Sequence, residues 1–166
     1  MSEFVAAESA IRQLHARYID AVWRQDADAF GSCWVEDAQW KIVGADLHGR
    51  QAITAFFVDI MRNFDHVIQF YHVPILEIED GTGTGRTYVT EHNSFRSGRK
   101  TFNIGLYHER YRRDADRWRF TWRHFDLFYM GPADLSVPFF SVPEYGAPPR
   151  LADPDRPASP PASAIL

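Results

Sequence analysis

The sequence is poor in the residues that build disulfide or metal frameworks. It has one cysteine, Cys33, among 166 residues, which excludes an internal disulfide network and a site of several thiolates. Because an unpaired cysteine is usually buried, we expect Cys33 to pack on the apolar face of a helix. The seven histidines show no HxH or HxxxH spacing, so no metal is predicted. No glycine-rich phosphate loop leads into a helix, and no cofactor is predicted either.

Basic residues are also few. The chain has 18 Lys and Arg against 22 Asp and Glu, a net charge of -4, which argues against a nucleic-acid partner. The arginines from Arg110 to Arg123 alternate with acidic residues, and we expect them on a solvated hairpin. No run approaches the roughly 20 apolar residues of a membrane helix, and the N-terminus lacks signal-peptide features. The sequence therefore predicts a cytoplasmic protein without membrane contact.

Aromatic residues are plentiful, with 13 Phe, 7 Tyr and 5 Trp. Such a content indicates a thick core, an aromatic pocket or an apolar interface.

The first part of the chain has helical periodicity. Ile11, Leu14, Tyr18 and Val22 recur at spacings of three and four, and this pattern predicts one buried helix face with Asp20 on the polar side. Asp26 is a candidate cap for a second short helix that runs through Ala29, Phe30, Cys33 and Trp34. A short strand is predicted over 39–43 and a third helix over 53–61.

Extended segments follow from about residue 65. Strands are predicted over 67–79, 86–96, 100–112 and 118–130, with a turn over 81–85 and a tight turn at Ser97-Gly98. Helices followed by a strand meander are typical of an α+β fold, with the helices on one face of a curved antiparallel sheet. We expect one domain over 1–131 and a proline-rich extension over 132–166 that is partly disordered or draped.

Particular motifs resemble a known superfamily. The stretch Ala16-Arg17-Tyr18-Ile19-Asp20 resembles the first helix of bacterial ketosteroid isomerases. The stretch 34–40 followed by His48-Gly49-Arg50 resembles many members of the SnoaL-like, nuclear transport factor 2-like superfamily, and 9–49 and 111–120 resemble hexachlorocyclohexane dehydrochlorinase. The resemblance covers roughly residues 5–130. It implies a cone-shaped α+β barrel with three N-terminal helices and a small-molecule pocket, but the fold does not select one activity.

The resemblance also suggests residue roles. Tyr18 matches the tyrosine that donates a hydrogen bond to the developing oxyanion in ketosteroid isomerases; the alternative is a core tyrosine bonded to backbone. The two catalytic aspartates of those isomerases would fall at Ile42 and near Tyr107, so that mechanism is not expected here.

Dehydrochlorinase and scytalone dehydratase use a histidine base oriented by an aspartate of the first helix. By resemblance this histidine is His72, with Gln69 or Tyr71 as the alternatives. The aspartate would fall at Trp23, and Asp20 lies one turn earlier on the polar face.

Strand alternation predicts which side chains share a face. Pairing across the Ser97-Gly98 turn sets His92 opposite Asn103 and Tyr88 opposite Tyr107. One face then carries Tyr88, Thr90, His92, Asn103, Gly105, Tyr107, Arg123, Phe125 and Leu127. By resemblance this face lines the pocket, and the predicted substrate-binding residues are Trp40, Tyr88, Asn103, Tyr107, Arg123 and Phe125. A simple hydrogen bond across the sheet is the alternative for His92 and Asn103.

The opposite face is predicted to be apolar. It would carry Val89, Phe95, Phe102, Ile104, Leu106, Phe120, Trp122 and Phe128. We expect a homodimer through this outer sheet face, with His124 and Asp126 in structural roles there.

The functional expectation is a cofactor-free lyase, isomerase or cyclase that acts on a small hydrophobic cyclic molecule. His72 or His92 would move the proton, while Tyr18, with Asn103 or Tyr107, would stabilise an oxygen. The alternatives are a non-catalytic module that binds a small ligand or a partner, and an accessory subunit similar to the β subunits of ring-hydroxylating dioxygenases.

Overall fold

The architecture is three helices packed on a mainly antiparallel, unclosed sheet, which confirms the predicted α+β class. A computed structural model describes residues 3–141, 151–158 and 160. The helices are α1 (Glu3–Arg24), α2 (Ala27–Ser32) and α3 (Arg50–Met61). The strands are β1 (Trp34–Ile42), β2 (Ala45–His48), β3 (Phe64–Tyr71), β4 (Ile75–Glu79), β5 (Thr82–Phe95), β6 (Lys100–Asp114) and β7 (Arg117–Gly131).

The sheet has the strand order β2-β1-β7-β6-β5-β3, and β4 also pairs with β5. All neighbouring strands are antiparallel except β1 and β7, which run parallel. The long strands β5, β6 and β7 form the centre, and the helices pack against its inner face. No helix among the described residues is both long and apolar enough to cross a membrane.

Local signals account for the helices. The predicted face of α1 is buried at Ile11, Leu14, Tyr18 and Val22, while Arg24 Nε lies 2.9 Å from Asp20 Oδ2 on the exposed side. Asp26 caps α2, as predicted, because its Oδ1 accepts the Ala29 N–H at 2.9 Å. The helix was predicted to run through Cys33 and Trp34, but it ends at Ser32. Cys33 is buried just beyond the helix, and Trp34 begins β1.

One predicted strand and one predicted turn were wrong in detail. The segment predicted as one strand over 67–79 forms β3 and β4, separated by three residues that include Pro74, which has no N–H for a ladder bond. The turn predicted over 81–85 is made by Asp80 and Gly81, both with positive φ, while Gly83 and Gly85 lie within β5.

The β5–β6 hairpin has a three-residue loop instead of the expected two-residue turn. Gly98 adopts φ +88°, and Phe95 N donates to Arg99 O at 2.8 Å, so Ser94 pairs with Lys100. A three-residue loop with its last residue in the left-handed region adds one residue to the turn. The predicted register was therefore wrong by one: His92 lies opposite Phe102 and not opposite Asn103.

This shift exchanges the faces of β5 only. Asn103, Tyr107 and Phe125 point inward as expected, whereas Tyr88 and His92 are exposed on the outer face. Val89, Phe95 and Phe120, expected outside, belong to the inner core clusters. For Phe120 the cause is an irregularity between Arg110 and Tyr111, which shifts its pairing.

The described part of the C-terminal extension follows the sheet. Phe140 N donates to Phe128 O at 2.8 Å beside β7. Residues 151–158 cross the outer face, where Ala152 N donates to His108 Nδ1 at 2.9 Å and Arg156 binds Asp126 at 2.6 Å. The rest of the predicted 132–166 extension, over 142–150, 159 and 161–166, lies outside the described residues.

Candidate functional site

A cavity of about 100 Å³ lies between the helices and the inner face of the sheet. Most of its wall is apolar: Val22, Trp40, Ile42, Val43, Phe57, Ile60, Met61, Phe64, Val67, Phe95, Phe125, Leu127 and Met130. The polar lining residues are Tyr18, Gln69, Glu91, Asn93, Asn103 and Tyr107. An apolar cavity of roughly 150 Å³ is enough to hold benzene. This cavity is smaller than that, so a molecule of one small ring fits when the wall moves slightly, and the flexible Met61 and Met130 side chains can make that adjustment.

A carboxylate, Glu91, forms part of this wall. Gln69, Glu91 and Asn103 are direct partners in one row across β3, β5 and β6. Gln69 Nε2 donates to Glu91 Oε1 at 2.6 Å, and Asn103 Nδ2 donates to Glu91 Oε2 at 3.1 Å. Among the described residues no Lys, Arg or His nitrogen lies within 4.0 Å of this carboxylate. Two amides thus hold the orientation of Glu91 without neutralising its charge.

Two phenols, Tyr18 and Tyr107, form the floor of the cavity. Each is 1% exposed. Burial raises the pKa of Tyr18 to about 12, against the opposing effects of the neighbouring Arg123 and Tyr107 side chains. Burial also raises the pKa of Tyr107 well above its usual range. Both phenols are protonated at neutral pH and are suited to donate a hydrogen bond to a ligand oxygen.

Arg123 supports the two phenols from beneath. Its guanidinium carbon lies 3.5 Å from the ring centroid of Tyr107 and 4.5 Å from that of Tyr18. The expectation of a solvated hairpin was wrong at this residue, which is 0% exposed. Its Nη2 lies 2.8 Å from Glu109 Oε1, and burial of the charge is possible because this carboxylate neutralises it.

Glu109 is the acceptor of a wider buried network. Its Oε2 accepts from Thr87 Oγ1 at 2.5 Å and from Tyr111 OH at 2.6 Å, and His15 Nε2 lies 3.3 Å away. Burial acts to raise the pKa of Glu109, but the charges of His15 and Arg123 and the hydrogen bonds outweigh it and lower the pKa to about 2. The carboxylate is therefore ionised under the cavity floor.

The predicted site residues divide into three groups. Tyr18, Trp40, Asn103, Tyr107 and Phe125 line the cavity, and Gln69, an alternative to His72, lines it as well. Arg123 and Tyr71, the other alternative, lie behind the wall, where Arg123 Nη2 donates to Tyr71 OH at 3.0 Å.

Tyr88, His72 and His92 lie outside the cavity. His92 is exposed between the rings of Phe70 and Phe102, and His72 is exposed on the segment between β3 and β4. The predictions that Tyr88 and His92 share the pocket face were wrong, because the hairpin register turns Glu91 inward in place of His92. Sequence reasoning missed Glu91 and Glu109; the signal for Glu91 was the left-handed loop residue Gly98, which fixes the register.

His124 and Asp126 occupy the outer face, as predicted. Asp126 accepts from His108 Nε2 at 3.2 Å through Oδ2 and lies 3.2 Å from His124 Nε2 through Oδ1. Burial acts to raise the pKa of Asp126, but hydrogen bonds from both histidines and Arg156 hold it well below its usual range. No three His, Cys, Asp or Glu side chains within 3–141, 151–158 and 160 are arranged to hold a metal ion.

Comparison with known proteins identifies relatives of this fold. The sequence profile of the SnoaL-like domain matches residues 3–124. A type 2 hexachlorocyclohexane dehydrochlorinase, LinA, superposes with a TM-score of 0.72 at 19% identity and covers 84% of this chain and 95% of its own. A proposed aromatic ring hydroxylase from Novosphingobium aromaticivorans superposes with a TM-score of 0.72 at 25% identity and covers 80% of this chain and 98% of its own. A proposed scytalone dehydratase from the same species superposes with a TM-score of 0.73 at 15% identity and covers 93% of this chain and 97% of its own. No protein of curated function matches the sequence significantly.

Proposed function

The chain belongs to the SnoaL-like domain family, and from this premise we propose that it is a cofactor-free enzyme that moves a proton on a small, largely apolar molecule of about one ring. The observation that carries the proposal is the placement of Glu91. This carboxylate lies in the wall of an apolar cavity, is held by Gln69 and Asn103, and shares the cavity with the phenols of Tyr18 and Tyr107.

Glu91 takes the role of the proton acceptor. A general base must be within reach of the ligand and keep a fixed orientation, and Glu91 meets both conditions. His72 and His92, which the sequence suggested for this role, are exposed outside the cavity and have no part in the proposal.

Tyr18 and Tyr107 take the role of hydrogen-bond donors. A phenol at the cavity floor stabilises negative charge that develops on a ligand oxygen, and Arg123 beneath both rings favours that charge. In an elimination, Glu91 accepts a proton from carbon and the C–H electron pair becomes a new carbon–carbon double bond. The leaving group departs from the adjacent carbon with its bonding pair. As hydroxide it takes up the proton that Glu91 accepted, which forms water and returns Glu91 to its ionised form. The likeness to a dehydrochlorinase and a proposed scytalone dehydratase supports a reaction of this lyase class.

The proposal is tested with 3-hydroxycyclohexanone, a single ring with an acidic C–H, an oxygen acceptor and a leaving hydroxyl. We expect the protein to release 2-cyclohexenone and water, followed by the ultraviolet absorption of the enone. Tyr18→Phe and Tyr107→Phe should each lower the rate by about tenfold to a hundredfold, as expected when one oxyanion donor is lost. Tyr88→Phe, on the outer face, is the matched control and should leave the rate unchanged. A rate no greater than that in buffer for this substrate contradicts the enzyme proposal.

The predicted homodimer also remains a proposal. Residues 151–158 cover one part of the outer sheet face, but Ile68, Phe70 and Tyr88 are 37%, 55% and 44% exposed on the other part. These side chains support pairing of two copies there. Light scattering after size exclusion should give a dimer for the natural chain and a monomer for Phe70→Glu; a monomeric natural chain contradicts the pairing.

A further inference from the structure

Three amide oxygens in the cavity wall lack a hydrogen-bond donor. They are Gln69 Oε1, Asn93 Oδ1 and Asn103 Oδ1, all buried without a partner among the described residues. The side chains belong to residues that are only 8%, 7% and 6% exposed, and all three line the cavity. Buried acceptors are normally paired, so a group of three in a ligand-sized cavity points to donors that a ligand supplies.

The orientation of two of these amides is fixed by Glu91. A carboxylate is only an acceptor, so the NH₂ groups of Gln69 and Asn103 must face it. Rotating either amide would place a carbonyl oxygen against the carboxylate and lose the hydrogen bond. Their carbonyl oxygens are therefore the atoms left for a ligand.

The same wall has a negative charge with no nearby cation. Glu91 has no Lys, Arg or His nitrogen within 4.0 Å among the described residues. A ligand that brings its own carboxylate would meet this charge in a cavity of low polarity, where repulsion between like charges is strong. A ligand with hydroxyl or ammonium groups would instead pair with it.

We propose that the polar end of the ligand carries at least one O–H or N–H donor, as in a cyclic alcohol, a diol or an alkylammonium, and that this end contacts Gln69, Glu91, Asn93 and Asn103. The apolar remainder lies against the Phe57, Ile60 and Phe125 side of the cavity. The inference rests on the cavity of the proposed function and specifies its ligand class. It excludes carboxylic acids and ranks molecules that have only acceptors below those with donors.

The direct test is calorimetric binding of four compounds with the same ring to the natural chain. The compounds are cis-cyclohexane-1,2-diol, cyclohexylamine, cyclohexanone and cyclohexanecarboxylate. The diol or the amine should bind about tenfold or more tightly than the ketone, since each acceptor left unpaired weakens binding by about that factor. The carboxylate should not bind. Comparing the first two compounds distinguishes a hydroxyl from an ammonium ligand.

Equal or tighter binding of the ketone or the carboxylate overturns the inference, and so does binding of none of the four. Because this test uses the natural chain, it does not depend on how a variant folds.

A second measurement tests whether Asn93 contributes to the preference for the diol over the ketone. Asn93→Leu removes one acceptor but none of the hydrogen bonds to Glu91, and should reduce the diol-to-ketone affinity ratio by about fivefold or more. Met130→Leu, an apolar change in the same wall, is the matched control and should keep the ratio. An unchanged ratio in a folded Asn93→Leu protein contradicts the assignment.

Failure of the enzyme proposal and failure of the ligand class would give different results. Donor-selective binding without any turnover would indicate a non-catalytic binding module and leave the ligand class intact. Turnover of acidic or donor-free ligands would support the enzyme and refute the ligand class.

Discussion

Glu91 Oε2 accepts a hydrogen bond from Asn103 Nδ2 at 3.1 Å, across the β5–β6 ladder and inside the cavity. This contact places a carboxylate in a wall that is otherwise mostly apolar. With Gln69 on the far side of Glu91, it converts one row of the sheet into a polar strip that faces the phenols of Tyr18 and Tyr107. The proposed chemistry follows from this row.

The positions of the two exposed histidines give the first prediction. His72→Ala combined with His92→Ala should leave ligand binding and turnover within about twofold of the natural chain, because neither side chain lines the cavity. Turnover of 3-hydroxycyclohexanone and calorimetry of the diol check this. A loss of tenfold or more in the double variant would restore the hypothesis of a histidine base.

The Glu109 carboxylate predicts acid sensitivity. Its pKa is about 2 in the folded protein against 4.5 ordinarily, so the unfolded chain takes up the proton first as the pH falls. The stabilisation is complete above about pH 4.5 and is lost between there and pH 2. Its size is on the order of 3 kcal/mol. The lowered pKa of Asp126 acts in the same direction.

Urea unfolding at several pH values measures this dependence. Glu109→Gln should be less stable at pH 7 because Arg123 loses its counter-ion, and its stability should depend less on pH between 4.5 and 2. An unchanged dependence in the variant would show that Glu109 is not the responsible group.

The Arg123–Glu109 pair predicts a large loss of stability when one partner is removed. Arg123→Leu leaves a buried carboxylate without its main counter-ion and should cost roughly 3–5 kcal/mol in the free energy of unfolding. Glu109→Gln combined with Arg123→Leu should recover part of this loss, since no unpaired charge remains. Arg110→Leu, which affects an arginine over Trp122 on the outer face, is the control and should cost under about 1 kcal/mol. Equal losses of unfolding free energy for Arg123→Leu and the control Arg110→Leu would contradict the buried pair.

Much of the fold could be predicted because its signals are local. The buried face of α1 follows from the spacing of Ile11, Leu14, Tyr18 and Val22, and the start of α2 follows from the Asp26 cap. The inward faces of β6 and β7 at Asn103, Tyr107 and Phe125 follow from alternation. These features depend on neighbours within a few positions along the chain.

The polar half of the site could not be predicted in the same way. One additional loop residue at Gly98 exchanges His92 for Glu91 at the cavity, so a small uncertainty in the turn changes the proposed base. Arg123 and Glu109 look like surface charges in the sequence, because their burial depends on each partner occupying the opposite strand. Tertiary pairing, which no local pattern encodes, determines both features.

The close approach of Phe125 to Gly105 gives a packing prediction. A Cβ at position 105 would overlap the Phe125 ring, so Gly105→Ala should destabilise the fold by about 1–3 kcal/mol and narrow the cavity. Phe125→Leu in the same chain should relieve the overlap with the ring and recover part of the loss, although the close approach to the Asp126 carbonyl oxygen remains. Thermal unfolding of the two single variants and the double variant measures the coupling. Additive effects would indicate that the ring does not lie across Gly105.

The central claim, that Glu91 is the proton acceptor, is tested most directly by carbon-bound proton exchange in D₂O. The NMR signal of the acidic C–H in 3-hydroxycyclohexanone is followed with the natural chain and with Glu91→Gln, which keeps the size of the side chain and removes the base. We predict enzyme-dependent exchange that falls by at least about a hundredfold in the variant, as for loss of a general base. Equal exchange in both proteins, or exchange in neither, would contradict the assignment of Glu91.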